Sequence, residues 1–238
     1  GFMPSERGTP SSWARSLVRR KMVQRAARIV TVSDFSKKEI VAEWGLSADK
    51  IRVVYNGVSD RFVPDPSTEK KDPYILYVGN FLPHKNVACL VEAYAQLPES
   101  RRMSVRLVLA GKKSVHRTAL MSKVKELGLA ERVRFTGSVA DEDLPALYQG
   151  SELFVFPSLY EGFGLPPLEA MACGTPVISS NAASLPEVVG DAGLLVDPTR
   201  PEDFTRAIEP LLSHDAARRL QSEQGLRQAA EFSSETAA

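Results

Sequence analysis

The sequence has few cysteines, no long apolar run and almost no net charge. Its two cysteines, Cys89 and Cys173, cannot form a disulfide framework, and neither has a metal-ligating neighbour at a useful spacing. Both lie in apolar stretches that we expect to be helical, which favours buried free thiols in a reducing compartment. No run in the given sequence approaches the roughly 18 apolar residues that a membrane-spanning helix requires. The net charge of +1 offers no overall attraction to nucleic acid, whereas a hydrophobic fraction of 43% is ordinary for a globular core.

The positive charge is unevenly distributed, however. Between Arg7 and Val32 there is no acidic residue but there are six basic ones: Arg15, Arg19, Arg20, Lys21, Arg25 and Arg28. Two interpretations stay open, a surface helix with a solvated basic face or an amphipathic helix that contacts a membrane through Arg15–Arg28. We therefore expect a cytoplasmic protein, with peripheral contact at the inner membrane face as the alternative.

Short apolar segments alternate with helical segments along most of the chain. The predicted strands are Ile29–Val32, Ile51–Tyr55, Tyr74–Val78, Val105–Ala110, Val133–Thr136, Leu153–Phe156, Val177–Ser179 and Leu194–Val196. The predicted helices are Asp34–Trp44, Val87–Leu97, Arg117–Leu127, Asp141–Tyr148, Pro167–Ala172, Leu185–Val189 and Pro201–Ser213. This alternation indicates an α/β fold, a Rossmann-like parallel sheet with helices on both faces. Because ligands of such sheets bind beyond the carboxyl ends of the strands, the turns that follow the strands are the candidate site.

The most informative segment is Tyr160–Ile178, which follows a predicted strand. Its two glutamates, Glu161 and Glu169, are separated by seven residues and enclose a Gly-x-Gly turn. A glycine-rich loop that opens a helix presents free backbone N–H groups and the positive end of the helix dipole, and both favour an anion. Carboxylates on either side of such a loop suit hydroxyl groups. A sugar attached to a diphosphate combines the two features.

This segment resembles the signature of retaining GT-B glycosyltransferases of glycosyltransferase family 4, often called the glycosyl transferases group 1 family. The resemblance covers roughly residues 28 to 236. Further segments match in the expected order: Thr31–Ser36, Asn56–Val58, Val78–Gly79, Lys85–Asn86, Phe135–Val139 and Leu185–Pro198. The resemblance implies two Rossmann-like domains that face each other across a cleft. It also implies transfer of a hexosyl group, mannosyl or glucosyl, from a nucleoside diphosphate sugar to a glycan or lipid-linked acceptor, with retention and without a metal.

Compared with that family, the chain resembles part of an enzyme. Residues 1–63 resemble the end of the N-terminal, acceptor-side domain, and the polar, proline-bounded residues 64–73 are the predicted linker. Residues 74–222 resemble the donor nucleotide-sugar-binding domain, and residues 223–238 resemble the start of the C-terminal crossover helix. We expect residues 1–63 to be poorly ordered or docked in a non-native way, and the isolated chain to be inactive.

The resemblance implies a diphosphate site after the first strand of the donor domain. Lys85 corresponds to a lysine that binds the diphosphate, and Gly79 lies in the turn before it. An arginine is common where this chain has Asn80, so one charge that is usual in the family is missing. His84 or the pair Lys112–Lys113 are the candidates to replace that charge.

The signature segment supplies the next implied contacts. Glu169 accepts hydrogen bonds from the ribose hydroxyls, and Glu161 is the candidate catalytic residue, which orients the transferred sugar. The loop between them binds the phosphates or the sugar through the backbone N–H groups of Gly162, Phe163, Gly164 and Leu165.

Three more residues complete the implied donor site. The backbone of Val139 corresponds to the position that meets the nucleobase, and Ser158 is a candidate phosphate contact. Asp141 is either a helix N-cap or a second contact to the base. No residue is assigned to a metal.

Other classes of function remain open beside the transferase. The same motifs suit a non-catalytic nucleotide-sugar-binding module or a nucleotide-sugar epimerase of the GT-B fold, and fold alone does not decide among them. The two glutamates and the segment from Pro157 to Pro176 favour transfer.

Overall fold

The structure, a computed structural model, describes residues 22–65, 67–68 and 72–233. These residues form a two-stranded sheet and a six-stranded sheet, and every strand pair in both is parallel. The strands are β1 (Ile29–Thr31), β2 (Ile51–Val53), β3 (Tyr74–Val78), β4 (Arg106–Ala110), β5 (Val133–Gly137), β6 (Leu153–Phe156), β7 (Val177–Ser180) and β8 (Leu194–Val196). The predicted class, a Rossmann-like α/β fold, is confirmed.

The strand order of the larger sheet, β5-β4-β3-β6-β7-β8, locates its ligand crevice. The chain runs outward from β3 to β5 and then returns past β3 to continue from β6. The strand order therefore reverses between β3 and β6, which are hydrogen-bonded neighbours. The connections that leave these two strands diverge, and the crevice between them is where ligands of open α/β sheets bind. The predicted site residues after β3 and β6 therefore meet at one place.

Nine complete α-helices lie between Asp34 and Ala230. They are α1 (Asp34–Trp44), α2 (Val87–Gln96), α3 (Glu99–Ser104), α4 (Val115–Glu126), α5 (Leu144–Gln149), α6 (Leu165–Ala172), α7 (Leu185–Val189), α8 (Pro201–Ser213) and α9 (Asp215–Ala230). Residues 22–25 are also helical, whereas the part of the predicted basic helix that precedes Met22 lies outside the described residues. Among the described residues, no helix combines the length and the apolar character needed to cross a membrane.

Most predicted elements agree with the structure to within two residues. The Ser33 hydroxyl accepts a hydrogen bond from the Ser36 N–H at 3.0 Å, as expected of an N-cap, and Gly45 ends α1 in the left-handed conformation at φ 64°. The prediction that Asp141 caps a helix is wrong, because residues 141–143 form a turn and α5 begins at Leu144. The sequence also failed to predict α3 and α9.

The core of the larger unit lies on both faces of the six-stranded sheet. The central strands carry fully buried aromatic rings, and Tyr77 on β3 stacks on Phe156 of β6 with ring centroids 6.0 Å apart. The helix α9 closes one side, where the Gln221 amide donates to the carbonyl oxygen of Val177 at 3.0 Å. Cys89 and Cys173 are buried free thiols, as predicted. This rigid sheet is the support for the loops at its carboxyl edge.

The N-terminal unit β1-α1-β2 packs against the larger unit. β1 pairs with β2 from Ile29–Ile51 to Thr31–Val53, and α1 connects them. The described part of residues 1–63 is folded and makes several hydrogen bonds to the loop after β6 and to α7, so poor order is not found there, while the alternative of non-native docking stays a prediction.

The chain returns to this unit after α9. The N–H of Val58 donates to the carbonyl oxygen of Phe232 at 2.8 Å, and Val58 forms a parallel bridge with Ser233. The predicted boundary at residue 223 falls inside α9, which begins at Asp215, so no helix starts there. The division into an acceptor-side remnant, a linker and a donor domain stays a prediction.

Candidate functional site

The glycine loop, residues 161–165, is the last part of the connection between β6, which ends at Phe156, and α6, which begins at Leu165. Gly164 precedes the helix with φ 126°, and a Cβ at this position would lie 2.8 Å from Cδ2 of Leu185. The backbone conformation therefore favours glycine, and a larger residue would also make the Leu185 side chain shift. Phe163 is buried between the rings of Tyr55 and Phe232, at centroid distances of 6.1 and 5.8 Å. The loop is thus held on one side by packing as well as by its helix.

Serine hydroxyls bind three successive carbonyl oxygens of this loop. The Ser184 hydroxyl lies 2.9 Å from the Glu161 oxygen and 2.7 Å from the Phe163 oxygen. The Gly162 oxygen accepts from the hydroxyls of Ser33 and Ser36, at 2.8 and 3.2 Å. Because a trans peptide unit is planar, its N–H points away from its C=O. Fixing three carbonyls therefore fixes the three N–H groups that follow them.

Those N–H groups are available to a ligand. Within the described residues, no hydrogen-bond acceptor is found for the N–H of Gly162, Phe163 or Gly164. Leu165, the first residue of α6, likewise has no acceptor for its N–H among the described residues, whereas Pro166 and Pro167 have no N–H and the Leu168 N–H donates to the Gly164 carbonyl oxygen at 3.4 Å. A row of oriented N–H groups at a helix start is a site for an anion such as a phosphate.

Lys85 reaches the same loop from the connection that follows β3. It ends a short 3₁₀ helix, Pro83–Lys85, and Asn86 follows in the left-handed conformation at φ 53°. The Asn86 amide donates to the carbonyl oxygens of Pro157 and Pro198, at 3.2 and 2.7 Å, and so ties this connection to the one after β6.

The Lys85 ammonium forms an ion pair with the Glu161 carboxylate at 2.5 Å, and each side chain is only 14% exposed. It also lies 5.5 Å from the centre of the Phe156 ring. The sequence predicted both residues separately, one for the diphosphate and one for the sugar. It did not predict that they contact each other, so a ligand that enters here meets a preformed charge pair.

Ser158 and His84 lie in the two connections, after β6 and after β3, that carry the glycine loop and Lys85. The buried Ser158 hydroxyl donates to the carbonyl oxygens of His84 and Tyr160, at 3.2 and 3.3 Å, so it serves the loop structure in this state. Its predicted contact with phosphate stays a prediction. Burial, and then the charge of Lys85, lower the pKa of the His84 imidazole. A lowered pKa favours the neutral ring and argues against His84 as the replacement for the missing arginine charge.

Glu169 lies on α6, where its carboxylate accepts a hydrogen bond from the buried Tyr148 hydroxyl at 2.8 Å. Burial raises the pKa of Glu169, while the Tyr148 hydrogen bond and the charge of Arg61 act against that rise. Burial also raises the pKa of Tyr148 well above its usual value, so the phenol stays protonated and remains a donor. The carboxylate is therefore oriented by Tyr148 before any ligand binds.

A groove of about 350 Å³ opens at the carboxyl ends of β3, β4 and β5. Of the predicted residues, Gly79, Val139, Asn80 and Lys112 line it, and the remaining lining residues are Val78, Ala110, Gly111, Ser138 and Leu144. Lys113 is exposed and is not among the lining residues. A Cβ on Gly111 would lie 2.0 Å from the Gly79 carbonyl oxygen, so two backbone segments touch at the floor. Lys85, Glu161, Glu169 and the glycine loop are not among the lining residues, so the groove brings together only residues that follow β3, β4 and β5.

Two predicted polar residues take other roles. The Asn80 side chain accepts from the Leu82 N–H at 3.1 Å and so shapes the turn after β3. Asp141 is exposed and forms an ion pair with Arg61 at 4.0 Å, too long for a strong contact. Its predicted contact with a base stays untested.

The residues that the sequence analysis missed are those that hold the loop. Ser184 precedes α7 without a recognisable motif, and Ser33 was assigned only as an N-cap. The carboxylate of Glu187 accepts from the N–H groups of Asp34 and Phe35, at 2.8 and 2.6 Å. The Ser33 and Glu187 pairs are more than 120 residues apart in the sequence and the Ser184 pairs are 21 and 23 residues apart, so no local signal identifies them.

The chain belongs to the glycosyl transferases group 1 family, whose pattern residues 59–228 match. Residues 2–62 match the family described as Glycosyltransferase Family 4. O-antigen chain mannosyltransferase B of Escherichia coli is 41% identical over 218 residues, which are 87% of this chain and 57% of that protein. MMP alpha-(1->4)-mannosyltransferase of Mycolicibacterium hassiacum is 34% identical over 231 residues, which are 92% of this chain and 56% of that protein. This chain therefore spans little more than half the length of either relative.

Solved structures share the fold. Sucrose-phosphate synthase from Thermosynechococcus elongatus superposes with a TM-score of 0.84 at 28% identity, over 98% of this chain and 61% of that one. Anabaena Alr3699/HepE in complex with UDP and glucose has a TM-score of 0.85 at 24% identity, over 96% of this chain and 66% of that one. The likeness to the second structure establishes the fold alone.

Replacing Glu169 with glutamine tests the cost of burying its carboxylate. The folded pKa is raised above its usual 4.5, so the ionised group opposes folding above that raised pKa. This penalty declines as the pH falls through the raised pKa and is absent below the unfolded value. We expect Glu169→Gln to raise the urea midpoint at pH 7, and the gain to shrink as the pH approaches 4.5.

The exposed Glu223 on α9 supplies the control, since Glu223→Gln should leave the midpoint unchanged over the same pH range. A Glu169→Gln chain less stable than the parent at pH 7 would mean that Tyr148 and Arg61 more than compensate the burial.

Proposed function

We propose that the chain is the donor-binding part of a retaining GT-B glycosyltransferase, which transfers a hexosyl group from a nucleoside diphosphate sugar to a glycan or lipid-linked acceptor. The observation that carries this proposal is the glycine loop, whose oriented N–H groups lie beside the Lys85–Glu161 pair at the crevice between β3 and β6. Membership of the glycosyl transferases group 1 family supports it. Because the chain spans little more than half of the relatives described above, the activity belongs to the proposal.

The names of the relatives favour mannosyl transfer. Two of them are named mannosyltransferases, one for an O-antigen chain and one that forms an α-(1→4) linkage. Glucosyl transfer is the second candidate, since a solved structure of the same fold is titled with UDP and glucose. The O-antigen name also favours a growing glycan as the acceptor.

In this proposal the protein binds the donor mainly through its phosphates. The N–H groups of residues 162–165 donate to the diphosphate, and the Lys85 ammonium balances its charge in place of a metal ion. As the glycosidic bond breaks, negative charge grows on the leaving diphosphate. Donors that are already oriented toward that charge stabilise the transition state without further rearrangement. The serine hydroxyls that bind the loop carbonyls provide that orientation.

The two glutamates have different tasks in this proposal. Glu169, oriented by Tyr148, accepts hydrogen bonds from the ribose hydroxyls. Glu161 faces the hydroxyls of the transferred sugar and orients them while it remains paired with Lys85. Gly79 and Val139, which line the groove, contact the nucleoside.

Peripheral membrane contact is part of the proposal as a second, weaker element. Of the basic stretch, Arg25 and Arg28 lie in the described residues, and a guanidinium N–H of Arg28 donates to the carbonyl oxygen of Asp49 at 2.7 Å. A lipid-linked acceptor would bring this basic stretch to a membrane surface. Nucleic acid is not a proposed partner.

Removing the Lys85 ammonium should weaken the phosphate contact selectively. We expect Lys85→Ala to reduce nucleoside diphosphate binding by about 1.5–3 kcal/mol, the usual contribution of a hydrogen bond to a charged group. The bare nucleoside should bind with almost unchanged affinity. Calorimetric titration of both ligands measures the difference, and Lys125→Ala, which removes an exposed lysine of α4, controls for the loss of one positive charge away from the site. Equal losses for the two ligands would contradict the assignment.

The two glutamates should separate in a ligand series. Glu169→Gln should weaken every ligand that carries the ribose, including the nucleoside diphosphate without a sugar. Glu161→Gln should leave the nucleoside diphosphate nearly unchanged but reduce discrimination among sugars. Thermal-shift and calorimetric panels of guanosine, uridine and adenosine diphosphate sugars give the comparison. If both variants had the same ligand profile, the proposed division of tasks would be wrong.

The chain by itself should bind a nucleotide sugar weakly and transfer nothing. Transfer requires donor and acceptor to be held in reactive geometry, which contributes up to about 7–11 kcal/mol to lowering the barrier, with water kept out. Incubation with labelled nucleotide sugars and a broad set of acceptors should give no product above the rate without protein. Reproducible transfer that Glu161→Ala abolishes would refute this expectation.

A further inference from the structure

The N-terminus of α1 meets the glycine loop directly. The Gly162 carbonyl oxygen accepts from the hydroxyls of Ser33 and Ser36, and a Cβ on Gly162 would lie 3.9 Å from the Ser36 hydroxyl oxygen. Ser33 is fully buried, whereas the other groups are partly buried. The first residues of an acceptor-side helix therefore contact the loop that is proposed to bind the donor phosphates.

Glu187 holds this helix in place from the other unit. Its carboxylate accepts from the N–H groups of Asp34 and Phe35, the first two residues of α1, at 2.8 and 2.6 Å. The third N–H, of Ser36, is bound by the Ser33 hydroxyl at 3.0 Å. Because Glu187 and Ser33 satisfy these three N–H groups, the α1 end is used for attachment and not for binding an anion.

A second contact keeps the same two surfaces together. The Tyr160 hydroxyl donates to the Glu39 carboxylate, and the Tyr160 ring meets the Phe35 ring edge-on at a centroid distance of 5.7 Å. Tyr160 immediately precedes Glu161. The helix thus contacts the chain on both sides of the candidate catalytic residue.

We propose that Ser33, Ser36 and Glu187 are positioning residues, which use α1 to orient the N–H groups of the glycine loop toward the donor diphosphate. Glu187 fixes the position of the α1 N-terminus, and α1 in turn positions the Ser33 and Ser36 hydroxyls. These hydroxyls fix the orientation of the Gly162 carbonyl. By peptide planarity, this fixes the N–H of Phe163. The inference rests on the proposed function, because it concerns the diphosphate that the loop is proposed to bind.

The test combines ligand affinity with loop dynamics in this chain. Nucleoside diphosphate and bare nucleoside are titrated into Glu187→Ala, Glu187→Gln and Ser33→Ala. Backbone ¹⁵N relaxation then reports the order parameters of residues 162–164 in each variant without ligand. Matched controls are Ser47→Ala, an exposed serine of the same unit whose side chain makes no cap hydrogen bond, and Glu223→Gln on α9.

We expect Glu187→Ala and Ser33→Ala to lower the affinity for the nucleoside diphosphate about 3- to 10-fold, the loss typical of one hydrogen bond. The bare nucleoside should be unaffected and the loop order parameters should fall. Glu187→Gln keeps one carbonyl oxygen and should give an intermediate loss. A variant that only destabilised the fold would weaken both ligands alike, which contradicts a positioning role.

The outcomes separate this inference from the proposed function. If Lys85→Ala weakens nucleoside diphosphate binding but the Glu187 and Ser33 variants do not, the proposed site is supported and the positioning role is overturned. Unchanged loop order parameters in both alanine variants also overturn it. If the loop loses order in the variants but no chain binds a nucleoside diphosphate, the mechanical link stands and the proposed function fails.

Discussion

Three carbonyl oxygens of the glycine loop are turned toward serine hydroxyls, and the rest of the site depends on those hydrogen bonds. A loop with two glycines has many accessible conformations, so its N–H groups point in a common direction only when the surrounding structure requires it. Ser184 supplies that constraint from α7, and Ser33 and Ser36 supply it from α1. The β3–β6 neighbourhood then places Lys85 beside the same loop. Because these hydrogen bonds order the loop before a ligand binds, binding loses little conformational entropy of the loop.

The charges around this loop are arranged in two different ways. Glu161 is largely buried but faces the Lys85 ammonium, so its charge has a partner. Glu169 is partly buried beside the neutral Tyr148 phenol, and burial raises its pKa although the Tyr148 hydrogen bond and the charge of Arg61 act against that rise. A partly buried carboxylate such as Glu169 is stabilised most when the hydroxyl groups of a ligand donate the hydrogen bonds that water no longer supplies. The contrast agrees with separate tasks for two glutamates that the sequence presents as a symmetrical pair.

The parts of this structure that local patterns determine were predicted well. Ser33 and Gly45 bound α1 because capping preferences act over a single turn, and the apolar runs of β3 and β6 are strands because both faces of the sheet are covered. Local patterns failed where polar segments are helical by packing. The helix α9 has a weak apolar pattern, and it is held instead by contacts such as Gln221 with the Val177 carbonyl oxygen.

Candidate site residues were found from motif and position, but their partners were not. Glu161 and Lys85 are 76 residues apart, and Glu187 and Asp34 are 153 residues apart. The strand order brings Lys85 to Glu161, and packing of the β1-α1-β2 unit against the larger unit brings Asp34 to Glu187. Alternation of strands and helices predicts a parallel sheet but neither of these arrangements. For Asp141 a local preference gave a wrong prediction. Aspartate is a preferred N-cap, but Asp141 lies in a turn before α5.

The bridge between Val58 and Ser233 has a consequence for how the two units can swing. The chain leaves the β1-α1-β2 unit near Val58 and leaves α9 near Phe232, and these two crossing points are hydrogen-bonded side by side. If one unit rotated against the other, these adjacent crossing points would be the pivot, and atoms would move in proportion to their distance from it. Phe163 packs against both Tyr55 and Phe232, which places the glycine loop beside that pivot. With so short a lever arm, the loop would move little in such a rotation.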